Sequence, residues 1–420
     1  MATISFGTNV GTNADDVLGG RVLYDPMTDH YTLENVVLGR GGNDSIQSMI
    51  LPVSVDGQLL SFNSTLDGGA GNDVINGNSA SDFMFGGSGD DAISGDGLDQ
   101  MFGGLGVDSL FLNSEASSLD LVLSYAVQAA AQVTLSNGSV IGGFEKFVLV
   151  SAAGNDTADL SGDAKALDSN FQTGAGNDTL IVDSATRGSI EFTGGAGVDT
   201  LTANLTHAAG AVTFEPVGVG GQLSSTGLNV FCSEVEQFIL TTGAANDSLS
   251  GGDFSDQFAG GTGYDSLSGN GGADTLNGQG GSDEIFGGAG RDSLVGGAGN
   301  DTMTGGADSD TLVGGAGADV FVYASVADSG FGATADRIRD FVEGVDRISL
   351  TQIVADPAAN PDPGFAFVSA FSGLGAQVRA VQDALHNTTV IEGRLAGDAV
   401  TDFTIILTGL HSLTAGDFLL

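Results

Sequence analysis

Aspartate returns every nine residues between positions 242 and 322, at Asp247, Asp256, Asp265, Asp274, Asp283, Asp292, Asp301, Asp310 and Asp319. Two residues after each stands an apolar side chain: Leu249, Phe258, Leu267, Leu276, Ile285, Leu294, Met303, Leu312 and Phe321. A glycine-rich turn precedes each Asp, cleanest in Gly260-Gly-Thr-Gly-Tyr-Asp265 and Gly296-Gly-Ala-Gly-Asn-Asp301. Such a pattern offers hard-cation chemistry, because carboxylates and turn carbonyls are the oxygens that calcium prefers. Glycine lets the backbone take positive φ and approach a ligand closely. The unit reads as six residues of turn followed by a three-residue strand with one inward apolar side chain. That strand cannot bury its face alone, so the units must stack, and stacking is expected to make the carboxylates of neighbouring turns converge.

Several further stretches position related residues. Residues 68–111 form a shorter run with Asp73, Asp82, Asp91, Asp99 and Asp108, and the step from Asp91 to Asp99 is eight residues rather than nine. One residue is missing from that turn, so Asp99 is set apart from the candidate ligands Asp73, Asp82, Asp91 and Asp108. Between the two runs a long repeat keeps a constant offset of 91 residues, as in Asp108 and Asp199, Phe147 and Phe238, and Asp156 and Asp247. Long-period self-similarity marks a stacked architecture, and the β-branched and aromatic alternation of these inserts predicts longer strands. Single motif copies carry Asp16, Asp44, Asp156, Asp178 and Asp199. They read as turn formers first, and whether they hold a cation is left open. The single Cys232 aligns with Ile141 in the repeat and is expected to be a buried, inert thiol.

The formal net charge is −42, and only ten of the 53 acidic residues are Glu. A bias to the shorter acid, placed beside glycine, favours ligation in tight turns over a merely solvated surface. With 11 Lys and Arg in all, no basic patch could neutralise a phosphate backbone, so nucleic-acid binding is not expected. The same scarcity argues against direct pairing with anionic polysaccharides unless calcium bridges the two. The N-terminal residues Met1 to Gly7 lack the basic and apolar regions of a cleavable leader. The stretch from Leu121 to Val133 is too short and too polar to span a membrane.

The nonapeptide G-G-x-G-x-D-x-U-x, with U apolar, resembles the calcium-binding repeat of RTX proteins. After Phe321 the pattern changes, and residues from Asp336-Arg-Ile-Arg-Asp340-Phe to Leu413-Thr-Ala-Gly-Asp417-Phe-Leu-Leu420 resemble the C-terminal domain of serralysin-type metalloproteases. The resemblance implies an all-β fold, a right-handed parallel β-roll or β-solenoid with calcium-binding turns and a β-rich C-terminal cap. It also implies two nonapeptides per coil, so that Asp residues eighteen apart become vertical neighbours and the main run holds up to seven calcium ions. Further implications are export by a type I secretion ABC transporter, an uncleaved signal at Asp417 to Leu420, and an extracellular location. One departure stands out: Arg394, in Gly393-Arg-Leu-Ala-Gly-Asp398, occupies a ligand-like place.

The expected organisation is an N-terminal region at 1–67, a first roll at 68–111, solenoid inserts at 112–241, the main roll at 242–322 and a cap at 323–420. The H-E-x-x-H of a zinc protease and the G-x-S-x-G of a secreted lipase are both absent from the sequence. No stretch gathers His, Tyr, Lys and Arg. The leading expectation is therefore a secreted, non-enzymatic calcium-binding protein with a structural or adhesive role. The rivals are a polysaccharide lyase or epimerase on a β-solenoid and a relic of a serralysin-like protease without its catalytic domain.

Overall fold

The computed structural model describes residues 3–19, 21–25, 30–48, 53–55, 58–60, 63–77, 81–96, 99–114, 122–124, 133–134, 140–142, 144–162, 168–356, 363–373, 375–397 and 400–420. Asp398, the side chain of Ile141 and most of the stretch from Leu121 to Val133 lie outside them. Among the described residues the chain is almost entirely β, with two short 3-10 turns, and no helix is long and apolar enough to cross a membrane. It divides into two compact units, Met1–Leu201 with Gly227–Val235, and Thr202–Thr226 with Glu236–Leu420.

In the second unit the nine-residue period becomes two parallel ladders. On one, Leu249 pairs in register with Leu267, Leu267 with Ile285, Ile285 with Met303, and Met303 with Phe321. On the other, Phe258 pairs with Leu276, Leu276 with Leu294, and Leu294 with Leu312. Each partner is eighteen residues on, so one coil is two nonapeptides, and all nine side chains are buried. Each Leu or Phe so covered contributes about 1.5–3 kcal/mol through removal from water. The strands outgrow x-U-x: Gln257–Gly263 and Thr275–Gly281 pair through their glycines, with Gly261 opposite Gln279. The expected six-residue turn is therefore too long, because backbone pairing continues wherever stacked coils keep their spacing, whatever the side chain.

The cap continues both ladders before turning antiparallel. Ile338 follows Leu312, and Ile348 follows Phe321. Gln377–Asp383, Thr388–Arg394 and Phe403–Thr408 then form an antiparallel meander joined in parallel to Asp336–Ile338. Phe418–Leu419 lies parallel to Arg347–Ser349.

In the first unit, Leu66 pairs with Met84 at an offset of eighteen, and Met84 with Met101 at seventeen. Ile75, Ile93 and Leu110 repeat those two offsets. The residue missing before Asp99 thus shortens a whole coil. Further on the coils lengthen, Leu149 pairing with Phe171 and Phe171 with Phe192. In Leu228–Ser233 burial alternates strictly, placing Leu228, Val230 and Cys232 inside. Burial pushes the Cys232 thiol up to about 12, the inert thiol expected of a core position.

Candidate metal centre

Stacking at an offset of eighteen sets the aspartates in two columns. The backbone N–H of Asp247 donates to Oδ1 of Asp265 (2.8 Å), Asp265 to Asp283 (2.9 Å), Asp283 to Asp301 (2.9 Å) and Asp301 to Asp319 (2.9 Å). The other column links Asp256 to Asp274 (2.7 Å), Asp274 to Asp292 (2.8 Å) and Asp292 to Asp310 (2.8 Å) in the same way. One carboxylate oxygen of each Asp is therefore occupied by the coil before it. The second, Oδ2, is buried and accepts no hydrogen bond in Asp247, Asp265, Asp274, Asp283, Asp292, Asp301, Asp310 and Asp319. A buried carboxylate oxygen without a donor is costly.

The turn glycines explain why the oxygen is left there. A Cβ on Gly278 would overlap Oδ2 of Asp283 and lie 2.7 Å from the carbonyl oxygen of Gly296 in the next coil. Carboxylate and carbonyl crowd against the same glycine, so electron-rich oxygens of adjacent coils are brought together. Gly299, at φ +141°, could carry no side chain, since a Cβ would overlap the carbonyl oxygen of Gly281. Burial, and then the neighbouring carboxylates, push Asp265, Asp274 and Asp310 up to about 7 and Asp319 up to about 6. These are groups that resist charge until a cation compensates it.

Three turns of the main run lack the glycine two residues before Asp, with Ala245, Phe254 and Asp308 in its place, and the last two differ from each other. Asp308 keeps the left-handed conformation, at φ +81°. Phe254 does not adopt it, and Oδ2 of Asp256 instead accepts the Gly252 N–H at 2.9 Å. Asp256 thus has the weaker claim to a cation in its column.

Both columns run past the nonapeptides. The Asp310 N–H donates to Oδ1 of Asp336 (3.0 Å) and the Asp319 N–H to Oδ1 of Asp346 (3.0 Å). Asp340 caps the last turn, accepting from Gly314 (2.9 Å) and Gly315 (2.8 Å). Sequence reasoning did not place these three among the candidate ligands, because the spacing jumps to 26 and 27 residues. The signal that could have found them is the same Asp-x-apolar triplet, in Asp336-Arg-Ile338 and Asp346-Arg-Ile348.

In the first unit a column runs from Asp16 through Asp44, Asp73 and Asp91 to Asp108, each N–H donating to the next carboxylate. Oδ2 of Asp44, Asp73 and Asp91 is buried without a hydrogen bond. A second column links Ser64, Asp82 and Asp99. Oδ2 of Asp99 takes the Asp96 N–H (2.8 Å), so the shortened turn closes on itself. Asp156, Asp178 and Asp199 form a further short column. Among the described residues no three His, Cys, Asp or Glu converge on one point. The carboxylates of neighbouring turns come close enough to raise one another's pKa, but in single file along each column, with turn carbonyls beside them. Such an oxygen-only set fits calcium.

In the cap, Arg394 is buried. Its Nη2 donates to the carbonyl oxygen of Gly373 (3.0 Å) and to Oε1 of Gln377 (2.9 Å), and its guanidinium lies 4.8 Å from the Phe371 ring centre. A fixed positive charge fills that place.

Coils of two short parallel strands, with stacked aspartates at their turns, define a β-roll. The family model for the C-terminal region of the M10 serralysin peptidases matches residues 19–420, and the chain belongs to that family. The matched region is the repeat-bearing C-terminal part, not the catalytic domain. No curated protein matches the chain. Among solved structures it is similar to the AlgE6R2 subunit of the Azotobacter vinelandii mannuronan C5-epimerase, at 23% identity over 43% of this chain and 90% of that one, with a TM-score of 0.25. The AlgE6R3 subunit of that enzyme matches at 29% identity over 41% of this chain and 77% of that one, with a TM-score of 0.21. Superposition at that level carries no functional argument.

Proposed function

We propose that this chain is a secreted calcium-binding protein whose repeats fold as calcium fills the aspartate columns, and that it serves a structural or adhesive role outside the cell. The observation that carries the reading is the two rows of buried Oδ2 atoms without hydrogen bonds, one in each nonapeptide turn of the main run except that of Asp256. The seven steps within the main run offer up to seven sites, and the steps to Asp336 and Asp346 add two. Extracellular calcium modules bind at roughly 0.1 to 1 mM, so the columns would stay empty in the cytosol. Each site adds about 1.4 kcal/mol per tenfold rise of free calcium above its Kd.

Excess chelator should collapse the β circular-dichroism signal, and millimolar calcium should restore it cooperatively. A chain equally folded in chelator would refute the reading. Export by a type I transporter through Asp417 to Leu420 belongs to the same proposal. In the folded chain Asp417 is buried and accepts the Gly344 N–H (2.7 Å), so recognition would have to precede closure of the cap. Removing those four residues should abolish secretion, and undiminished export would overturn the assignment.

A further inference from the structure

Basic side chains are scarce in this chain, yet three of its nine arginines stand together on the outer face of one sheet in the second unit. Arg291 precedes the strand Ser293–Ala298, and Arg337 and Arg339 lie in and just after Asp336–Ile338, two strands further on. Thr275, Ser293, Thr311 and Arg337 are successive register partners, forming one row across the sheet. A shallow cleft of about 650 Å³ opens beside this row; Arg291, Ser293, Ser309, Thr311 and Arg339 line it, as does Asp292 of the aspartate column, while Arg337 stands next to it in the row.

Among the described residues Arg291, Arg337 and Arg339 make no ion pair and no side-chain hydrogen bond. Arg379, by contrast, is paired with Glu392, and Arg394 is bonded within its loop. With 53 acidic residues available, two unpaired guanidiniums at one cleft, with a third in the adjoining row, are not explained by stability. Charge counting argued against direct contact with an anionic polymer; clustering reverses that argument locally.

We propose that this cleft binds an acidic oligosaccharide directly, through carboxylates on its sugar rings. Arg291 and Arg339 flank the cleft about two strand spacings apart, roughly 10 Å. That suits two acidic groups on one ligand better than a single small anion. Guanidinium forks match carboxylates bidentately, and Ser293, Ser309 and Thr311 offer hydroxyls to the sugar hydroxyls between them. A nucleic acid is disfavoured by the charge of −42 around so small a basic site. The inference names a ligand class for the surface role proposed above and rests on that reading only in needing a folded roll.

The test uses the full chain in excess calcium, with folding checked by circular dichroism in each sample. Binding of a uronic-acid tetrasaccharide is measured by calorimetry against its neutral methyl ester, against inorganic sulfate, and on the double variant Arg291→Gln, Arg339→Gln. Arg347→Gln, on the other sheet, controls for loss of positive charge away from the cleft. The acidic tetrasaccharide should bind, the ester should not, and the double variant should weaken binding about tenfold or more while the control leaves it unchanged. Added salt should weaken it as well. Equal binding by the double variant would assign the glycan to bound calcium and overturn the cleft. Equal affinity for sulfate would overturn the oligosaccharide, and a folded chain that binds nothing would overturn the site.

Discussion

At the scale of single residues, each turn tolerates few alternatives. Glycine holds positive φ without strain, and three of the side chains that replace it in the main run, Asn270, Gln279 and Asp308, keep that conformation at φ of 68°, 70° and 81°. Asp308 combines this strain with a charge beside Asp310, whose carboxyl burial and neighbouring carboxylates already push up. Asp308→Gly should stabilise the calcium-loaded protein by about 1 kcal/mol, raising Tm by about 2–4 °C for a unit of this size. A melting scan checks this. A fall in Tm would mean that the Asp308 carboxylate is itself a ligand.

Elements obey a simpler rule than residues, and most of that rule was readable. The nine-residue period specified which side chains point inward, and every one of Leu249 to Phe321 is buried as read. The eighteen-residue coil followed from the family resemblance and emerged as strand register. What escaped was whatever depends on backbone rather than side chain: pairing through glycines, and the way the turn at Asp99, already read as one residue short, closes on the Asp96 N–H. Asp336 and Asp346 escaped for another reason. Loops of irregular length separate them from the repeat, and only three-dimensional stacking returns them to the columns. The arginine cleft was illegible too, because Arg291 and Arg339 are 48 positions apart in the chain but only two strands apart in the sheet.

For the whole molecule, the columns make stability depend on what neutralises them. Burial raises Asp265, Asp274 and Asp310 from the ordinary value of 3.8 to about 7. Without calcium, the folded chain then holds more protons than the open chain between about pH 4 and pH 7. That contribution is complete below about pH 4 and disappears as pH rises through about 7. In chelator, the β circular-dichroism signal should therefore be stronger near pH 5 than near pH 8, as protons stand in for the metal. A calcium-free chain equally open at both would contradict the columns described.

Every amide-to-carboxylate bond in the columns points the same way, from one coil to its successor. The stack consequently has a grammar like that of a sentence whose verb comes last: no coil is complete until the next has been read. At the far end Asp336 and Asp346 supply the closing words for Asp310 and Asp319. The two ends are accordingly not interchangeable. Trimming coils from the front leaves carboxylates that water or a cation can satisfy, whereas removing the cap leaves buried amides with nothing to receive them.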